Sequence, residues 1–179
     1  MAKTFHVALA GNPNTGKSTL FGALTGSRQR IGNWPGTTVA QRVGWFTIGD
    51  TEIRIVDLPG TYSLSAYSPE EQITRDYIIF EQPDALINVI DASKLERNLY
   101  LTAQILEIGI PLILALNMCD LAAKLGYQID LDLLQAELPG VPIVSMAASQ
   151  GTGLDDLRSA LIEMTTKSAR PTLQPVREL

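Results

Sequence analysis

The chain has 179 residues, 45% apolar and 18% charged, with 14 Lys and Arg against 19 Asp and Glu for a net charge of -5. That length and composition suit one globular domain with a full core and exclude a disordered chain. The acidic balance argues against a nucleic-acid partner, which needs a basic face, and the single cysteine, Cys119, excludes an internal disulfide and fits a reducing cytosol.

The opening "MAKTFHVALAGNP" has an apolar run too short for a secretory leader and ends in a glycine turn. "FHVALA" reads as the first buried strand, with His6 as a packing residue rather than a ligand. "GNPNTGKS" follows, and Leu20, Phe21 and Leu24 share one face of the helix it opens. Residues 27–40 are polar and include Gly32, Pro35 and Gly36, so they read as a long functional loop. "QRVGWFTI" and "EIRIVDL", joined through Gly49 and Asp50, predict an antiparallel hairpin. Residues 60–69 form a second loop, and Glu70, Glu71 and Asp76 lie on a solvated helix face beyond it. "ALINVID", "PLILALN" and "VPIVSM" are further strands. Leu99, Ala103 and Leu106 mark one intervening helix face, and Leu154, Leu157, Leu161 and Met164 mark that of the last helix. "IPLILAL" (110–116) is the longest apolar stretch, far short of a membrane span, so a soluble domain is expected. The pattern predicts an α/β fold over residues 1–167, with a six-stranded, mostly parallel sheet and helices on both faces. Residues 168–179 read as a linker or the truncated start of a following domain.

"GNPNTGKS" fits G-x-x-x-x-G-K-[ST] between a strand and a helix, the context of a P-loop. Gly11 and Gly16 let the backbone curl around phosphates, with Asn12, Pro13 and Thr15 in the loop and N–H groups from Asn14 to Thr19 as a nest. Lys17 would bridge the β- and γ-phosphates, and the Ser18 hydroxyl would bind Mg²⁺. Asp57 of "VDLPG" would hold Mg²⁺ through water, and Gly60 would offer its N–H to the γ-phosphate. "NMCD" closes a strand at the sheet's carboxyl edge. Asp120 can accept both N1–H and N2–H₂ of guanine, an adjacent donor pair that adenine lacks, so the base is guanine. Asn117 would contact the other edge of the base and tie it to the P-loop. Met118 replaces the lysine of N-K-x-D, and "AASQG" stands where S-A-K is usual, with an N–H around Ala148 and Ser149 for the guanine oxygen. Both departures predict modest affinity and quick release. In "GNWPGTTV", Thr37 or Thr38 would cap Mg²⁺ and the γ-phosphate, and Trp34 either packs on the body or marks a contact.

Together, "GNPNTGKSTLF", "RQRIGNWPGTTV", "VDLPGTYSL", "INVIDASKLERNLYLT" and "ALNMCD" resemble the amino-terminal G domain of FeoB, the prokaryotic ferrous-iron transporters, to about residue 165. The resemblance implies a P-loop NTPase G-domain fold that hydrolyses GTP to GDP with Mg²⁺ at the cytoplasmic side of the inner membrane. It also implies helical and membrane-embedded partner domains, with oligomerisation open. It selects Thr38 as the switch threonine. It further implies K⁺, held by the Asn14 side chain and carbonyls from Gly32 to Trp34, where other GTPases use an arginine finger. Lys17, Asn14, Thr38 and Gly60 are then the catalytic set, and Thr61 stands where a water-orienting glutamine is usual. Glu70 or Glu71 remains open as a residue that places water or senses iron. Two other readings stay open: an Era-type RNA- or ribosome-associated assembly GTPase, and a nucleotide-gated switch with negligible turnover.

Overall fold

The computed structural model describes residues 4–167, so the expected linker beyond Lys167 lies outside the described residues. β1 (Thr4–Gly11) forms the centre of the sheet, paired in parallel with β4 (Thr51–Asp57) and β5 (Ala85–Asp91). β6 (Leu112–Asn117) and β7 (Ile143–Ser145) continue in parallel on one side; β3 (Ala40–Ile48) and β2 (Gln29–Asn33) continue antiparallel on the other. The order is β2-β3-β4-β1-β5-β6-β7. Helices cover both faces, as expected, but the strands among the described residues number seven rather than six.

The extra strand, β2, lies within the stretch expected to be a long loop. All five of its residues are exposed, and Ile31 is 69% exposed. An edge strand held on one side only by its ladder to β3 has no apolar alternation, so periodicity cannot reveal it. What remains irregular is residues 27–28 and the hairpin tip, 34–39.

α1 (Lys17–Thr25) and the last helix (Leu154–Lys167) lie on one face, where Leu20, Phe21, Leu157 and Leu161 pack with Phe5 and Ile55. Each such fully buried side chain contributes about 1.5–3 kcal/mol. α3 (Leu95–Ile108) lies on the opposite face, where its buried residues are Asn98, Leu101, Thr102 and Ile105. Leu99 and Leu106 only flank this stripe and Ala103 is exposed, which corrects the expected face. Polarity disguised the true one. Asn98 Oδ1 accepts from the Asp91 N–H at 3.4 Å, and Asn88 Nδ2 donates to Thr102 Oγ1 at 2.7 Å. Buried amides and hydroxyls that hydrogen-bond across the helix–sheet contact look like surface residues to a hydropathy count.

Trp34, at the hairpin tip, is buried and packs edge-on against Tyr77 at 5.3 Å between ring centroids. Tyr77 begins a π-helical turn (Tyr77–Glu81) after α2 (Pro69–Asp76). Its hydroxyl lies 2.6 Å from His6 Nε2, which is also 2.8 Å from Arg54 Nη1. A guanidinium only donates, so Nε2 accepts and the ring proton sits on Nδ1. His6 is thus a packing residue, as expected, and its pKa is lowered from the ordinary 6.5, first by burial and then by Arg54, against smaller opposing effects of Asp84 and Glu81. The folded state favours the neutral ring, so His6 contributes its full stability above about pH 6.5 and loses it as pH falls through the lower folded pKa. We expect the melting temperature to drop between pH 7.5 and 5.5 by less in His6→Gln than in the wild type, measured by thermal denaturation. Equal drops would show that the ring does not titrate on unfolding.

Candidate functional site

The site lies at the carboxyl ends of β1, β4 and β6, where a parallel sheet opens to ligands. β1 ends at Gly11, where an added Cβ would run into the Val89 carbonyl. Gly16 has φ 85°, and a Cβ there would strike Asn117 Nδ2, so only glycine fits. Between them, Thr15 Oγ1 donates to the Asn12 carbonyl at 3.0 Å, and Asn14 takes a left-handed φ of 64° that asparagine tolerates. α1 begins immediately at Lys17, so the loop's N–H groups converge at a helix N-terminus, a geometry suited to phosphate.

The cleft measures about 520 Å³ and is lined by most of the loop 12–19 together with Gly60 and Met118. Lys17 lies in it, almost buried, with Nζ donating to Asp57 Oδ1 and to the Leu58 carbonyl, each at 2.7 Å. Gly60 packs on the P-loop, where an added Cβ would come within 3.1 Å of Pro13 Cα, and the Thr61 N–H donates to the Gly11 carbonyl at 3.2 Å. Asn12 is buried, 3% exposed, and neither polar atom of its side chain has a protein partner.

Asn117 joins three segments. Its Nδ2 donates to the Thr15 carbonyl at 2.8 Å, and its Oδ1 accepts from the Ala148 N–H at 2.9 Å. Asn117 is therefore bonded directly to the P-loop. The Ala148 N–H is taken by that tie, which leaves Ser149 as the nearer candidate of the expected pair. Met118 holds φ 61° beside Gly16, at the N-terminus of α4 (Cys119–Lys124). Asp120, in the first turn of α4, accepts at Oδ2 from Gln150 Nε2 at 2.8 Å and lies 3.8 Å from Lys124 Nζ. Gln150 was not among the expected site residues; the only signal was its place in the degenerate "AASQG".

Thr38, Gly32 and Trp34 are not brought to this cleft. Thr38 is exposed and, with Trp34, lines a separate depression beside Pro69 and Glu70. The turn closes on itself: the Trp34 carbonyl accepts from Thr37 N–H at 3.0 Å and Thr37 Oγ1 at 3.1 Å, and Trp34 N–H donates to Val39 at 2.9 Å. Gly32 lies opposite Gln41 in the β2–β3 ladder. Of the alternatives for Trp34, packing on the body is what the structure shows.

The second loop also differs from expectation. Glu71 does not simply face solvent: Oε1 accepts from Ser63 Oγ at 2.9 Å and Oε2 from the Tyr67 N–H at 3.0 Å. It fixes the loop ahead of α2, whose N-cap Ser68 accepts from the Glu71 N–H. The buried Thr61 hydroxyl donates to the Ser63 carbonyl at 2.7 Å, inside its own loop. For Mg²⁺, the Ser18 hydroxyl at the cleft and the Asp57 carboxylate are hard oxygen donors, and a small set of this kind suits an ion that keeps several waters. For K⁺, only Asn14 of the expected ligands lies at the cleft.

A family model described as ferrous iron transport protein B matches residues 5–161. The Fe(2+) transporter FeoB of Escherichia coli strain K12 is 51% identical over 163 residues, which cover 89% of this chain and 21% of that protein. The chain thus spans about a fifth of the length of such curated relatives. The FeoB G domain of Methanococcus jannaschii superposes with a TM-score of 0.81 at 46% identity, covering 92% of this chain and 99% of that one. A GDP-bound point mutant of S. thermophilus NFeoB superposes at 0.82 and 47% identity, covering 91% and 63%. None of the helices among the described residues is long and apolar enough to cross a membrane. On this match, and with the P-loop G-domain architecture described above, the chain belongs to the ferrous iron transport protein B family and corresponds to its G domain.

Proposed function

We propose that this chain binds and hydrolyses GTP as the G domain of a ferrous-iron transporter, at the cytoplasmic side of the inner membrane, and that GTP turnover gates or drives Fe²⁺ uptake by helical and membrane domains beyond it. The observation that carries the nucleotide reading is Asn117. Its amide holds the P-loop at Thr15 and the 148–150 loop at Ala148, which supports reading the phosphate cleft and the Asp120 loop as parts of one nucleotide site. The GDP-bound relative supports the same reading.

Lys17 would place its ammonium against the β- and γ-phosphate oxygens, exchanging at least part of its bonding to Asp57 and Leu58 for them. N–H groups from Asn14 to Thr19 and that of Gly60 would orient the phosphates and receive the charge that develops on the transferred group. Ser18 and Asp57, with Thr38 once the hairpin tip reaches the cleft, would hold Mg²⁺, which offsets phosphate charge when bound. Asn14 would supply the side-chain ligand for K⁺, and the carbonyls of 32–34 lie elsewhere in this structure. Asp120 would select guanine, with Asn117 and Met118 beside it. The Thr61 hydroxyl is engaged with Ser63, which favours slow intrinsic turnover and keeps the nucleotide-gated switch as the second reading.

The test is GTP turnover in K⁺ against Na⁺ at constant ionic strength. Wild type is expected to release phosphate and to do so faster in K⁺. Asn14→Ala is expected to lose most of the stimulation while its GDP affinity stays within about twofold, the scale of an exposed loop substitution. Equal stimulation in both proteins would reduce Asn14 to a turn residue. Absence of turnover in either ion would leave the switch reading.

A further inference from the structure

We propose that Gln150 is a positioning residue for base selection, holding the Asp120 carboxylate in the orientation that meets the base; this rests on the guanine reading above. The two motif departures, Met118 and "AASQG", predict a loose base site. The geometry supplies a tie that neither motif encodes. Gln150 Nε2 donates to Asp120 Oδ2 at 2.8 Å across 30 residues of chain. Lys124 Nζ, one turn along α4, lies 3.8 Å from the same oxygen.

The donor starts from a fixed backbone. Gln150 N–H donates to the Ala147 carbonyl at 2.8 Å, Gly151 N–H to Ala148 at 3.3 Å, and Ala147 N–H to Thr152 at 3.2 Å. The closed loop is pinned to the end of β6 by the 2.9 Å bond from Ala148 N–H to Asn117 Oδ1. An aspartate's terminal torsion is otherwise broad. Anchoring Oδ2 on one side restricts that rotation and leaves Oδ1, and the second lone pair of Oδ2, for two adjacent donors. Gln150 acts through Asp120 and is not assigned a contact with the base.

The test titrates GDP, IDP and ADP into wild type, Gln150→Ala and Gln150→Glu of the full chain. IDP keeps N1–H but lacks the 2-amino group, so the GDP/IDP affinity ratio reports how well the carboxylate accepts both donors. In Gln150→Ala we expect GDP to weaken about three- to tenfold and IDP less, with the ratio falling. The melting temperature without nucleotide should not change, because the contact is exposed. Gln150→Glu sets a second carboxyl against Asp120. GDP affinity should then fall further at pH 8 and recover towards about pH 5, where the new carboxyl gains a proton and can donate. An unchanged ratio in Gln150→Ala overturns the proposal. So does an equal loss for GDP and IDP with a lowered melting temperature, which is structural damage, or tighter GDP binding, which would mean that the amide masks Asp120. Wild type binding ADP as tightly as GDP overturns the guanine reading and this inference together; a guanine-selective wild type with an indifferent Gln150→Ala overturns this inference alone.

Discussion

Lys17→Ala is expected to lower GTP turnover by about two to three orders of magnitude, the effect of removing one preorganised charge-stabilising donor. Nucleotide binding should weaken with it. The structure adds a consequence that the motif alone does not predict. Lys17 and Asp57 form an almost buried ion pair at 2.7 Å, with side chains 10% and 8% exposed. Removing the ammonium leaves the Asp57 carboxylate and the Leu58 carbonyl without that donor, at a cost of about 3 kcal/mol. For a chain of this size the melting temperature should fall by roughly 6–12 °C. The double variant Lys17→Ala/Asp57→Ala removes the stranded charge, so it should recover much of that stability while turnover stays lost. Thermal denaturation and phosphate release on the three proteins separate the two effects. Near-normal hydrolysis by Lys17→Ala would place the active site elsewhere.

What was legible in the sequence follows from how each feature is encoded. The P-loop, "VDLPG" and "NMCD" were readable because their chemistry depends on side-chain identity at short, fixed spacing. Parallel strands buried on both faces, such as β5 and β6, read as continuous apolar runs. β2 was not readable, because it is held by backbone pairing to β3 and by exposed polar contacts such as Arg30 over the Trp45 ring, neither of which leaves an apolar alternation. The buried stripe of α3 was misplaced because Asn98 and Thr102 serve as core residues through hydrogen bonds. Glu71 looked like a surface charge because its partners, Ser63 Oγ and the Tyr67 N–H, belong to a loop with no pattern of its own. Gln150 pairs with a residue 30 positions away, and neither side chain signals the other. The position of the hairpin tip is different in kind. Trp34 packs on Tyr77 and its carbonyl binds Thr37, contacts that compete with carrying Thr38 to the cleft. The motif names Thr38 but not the contacts that hold its loop, so this placement could not be read from it.

Asp120→Asn is expected to exchange guanine preference for xanthine. Guanine offers N1–H and N2–H₂ side by side, and a carboxylate accepts both. The amide keeps one acceptor and replaces the other with a donor, which faces the guanine 2-amino group donor to donor. Such a mismatch in a desolvated site should weaken GDP about ten- to a hundredfold. Xanthine carries an oxygen at C2, which turns the mismatch into a hydrogen bond, so XDP should bind the variant more tightly than GDP does. The surroundings favour that outcome. Gln150 Nε2 donates at the Oδ2 position and Lys124 lies 3.8 Å from it, so the new amide should place its oxygen there. Its N–H₂ then occupies the Oδ1 position, free to donate. The phosphate contacts are untouched, so XTP hydrolysis by the variant should approach GTP hydrolysis by wild type. Titration of GDP, XDP and ADP into both proteins, followed by turnover with GTP and XTP, checks each step. If the variant lost GDP without gaining XDP, Asp120 would be holding the loop rather than reading the base, and the half-buried carboxylate would have to find its role in the contacts with Gln150 and Lys124 alone.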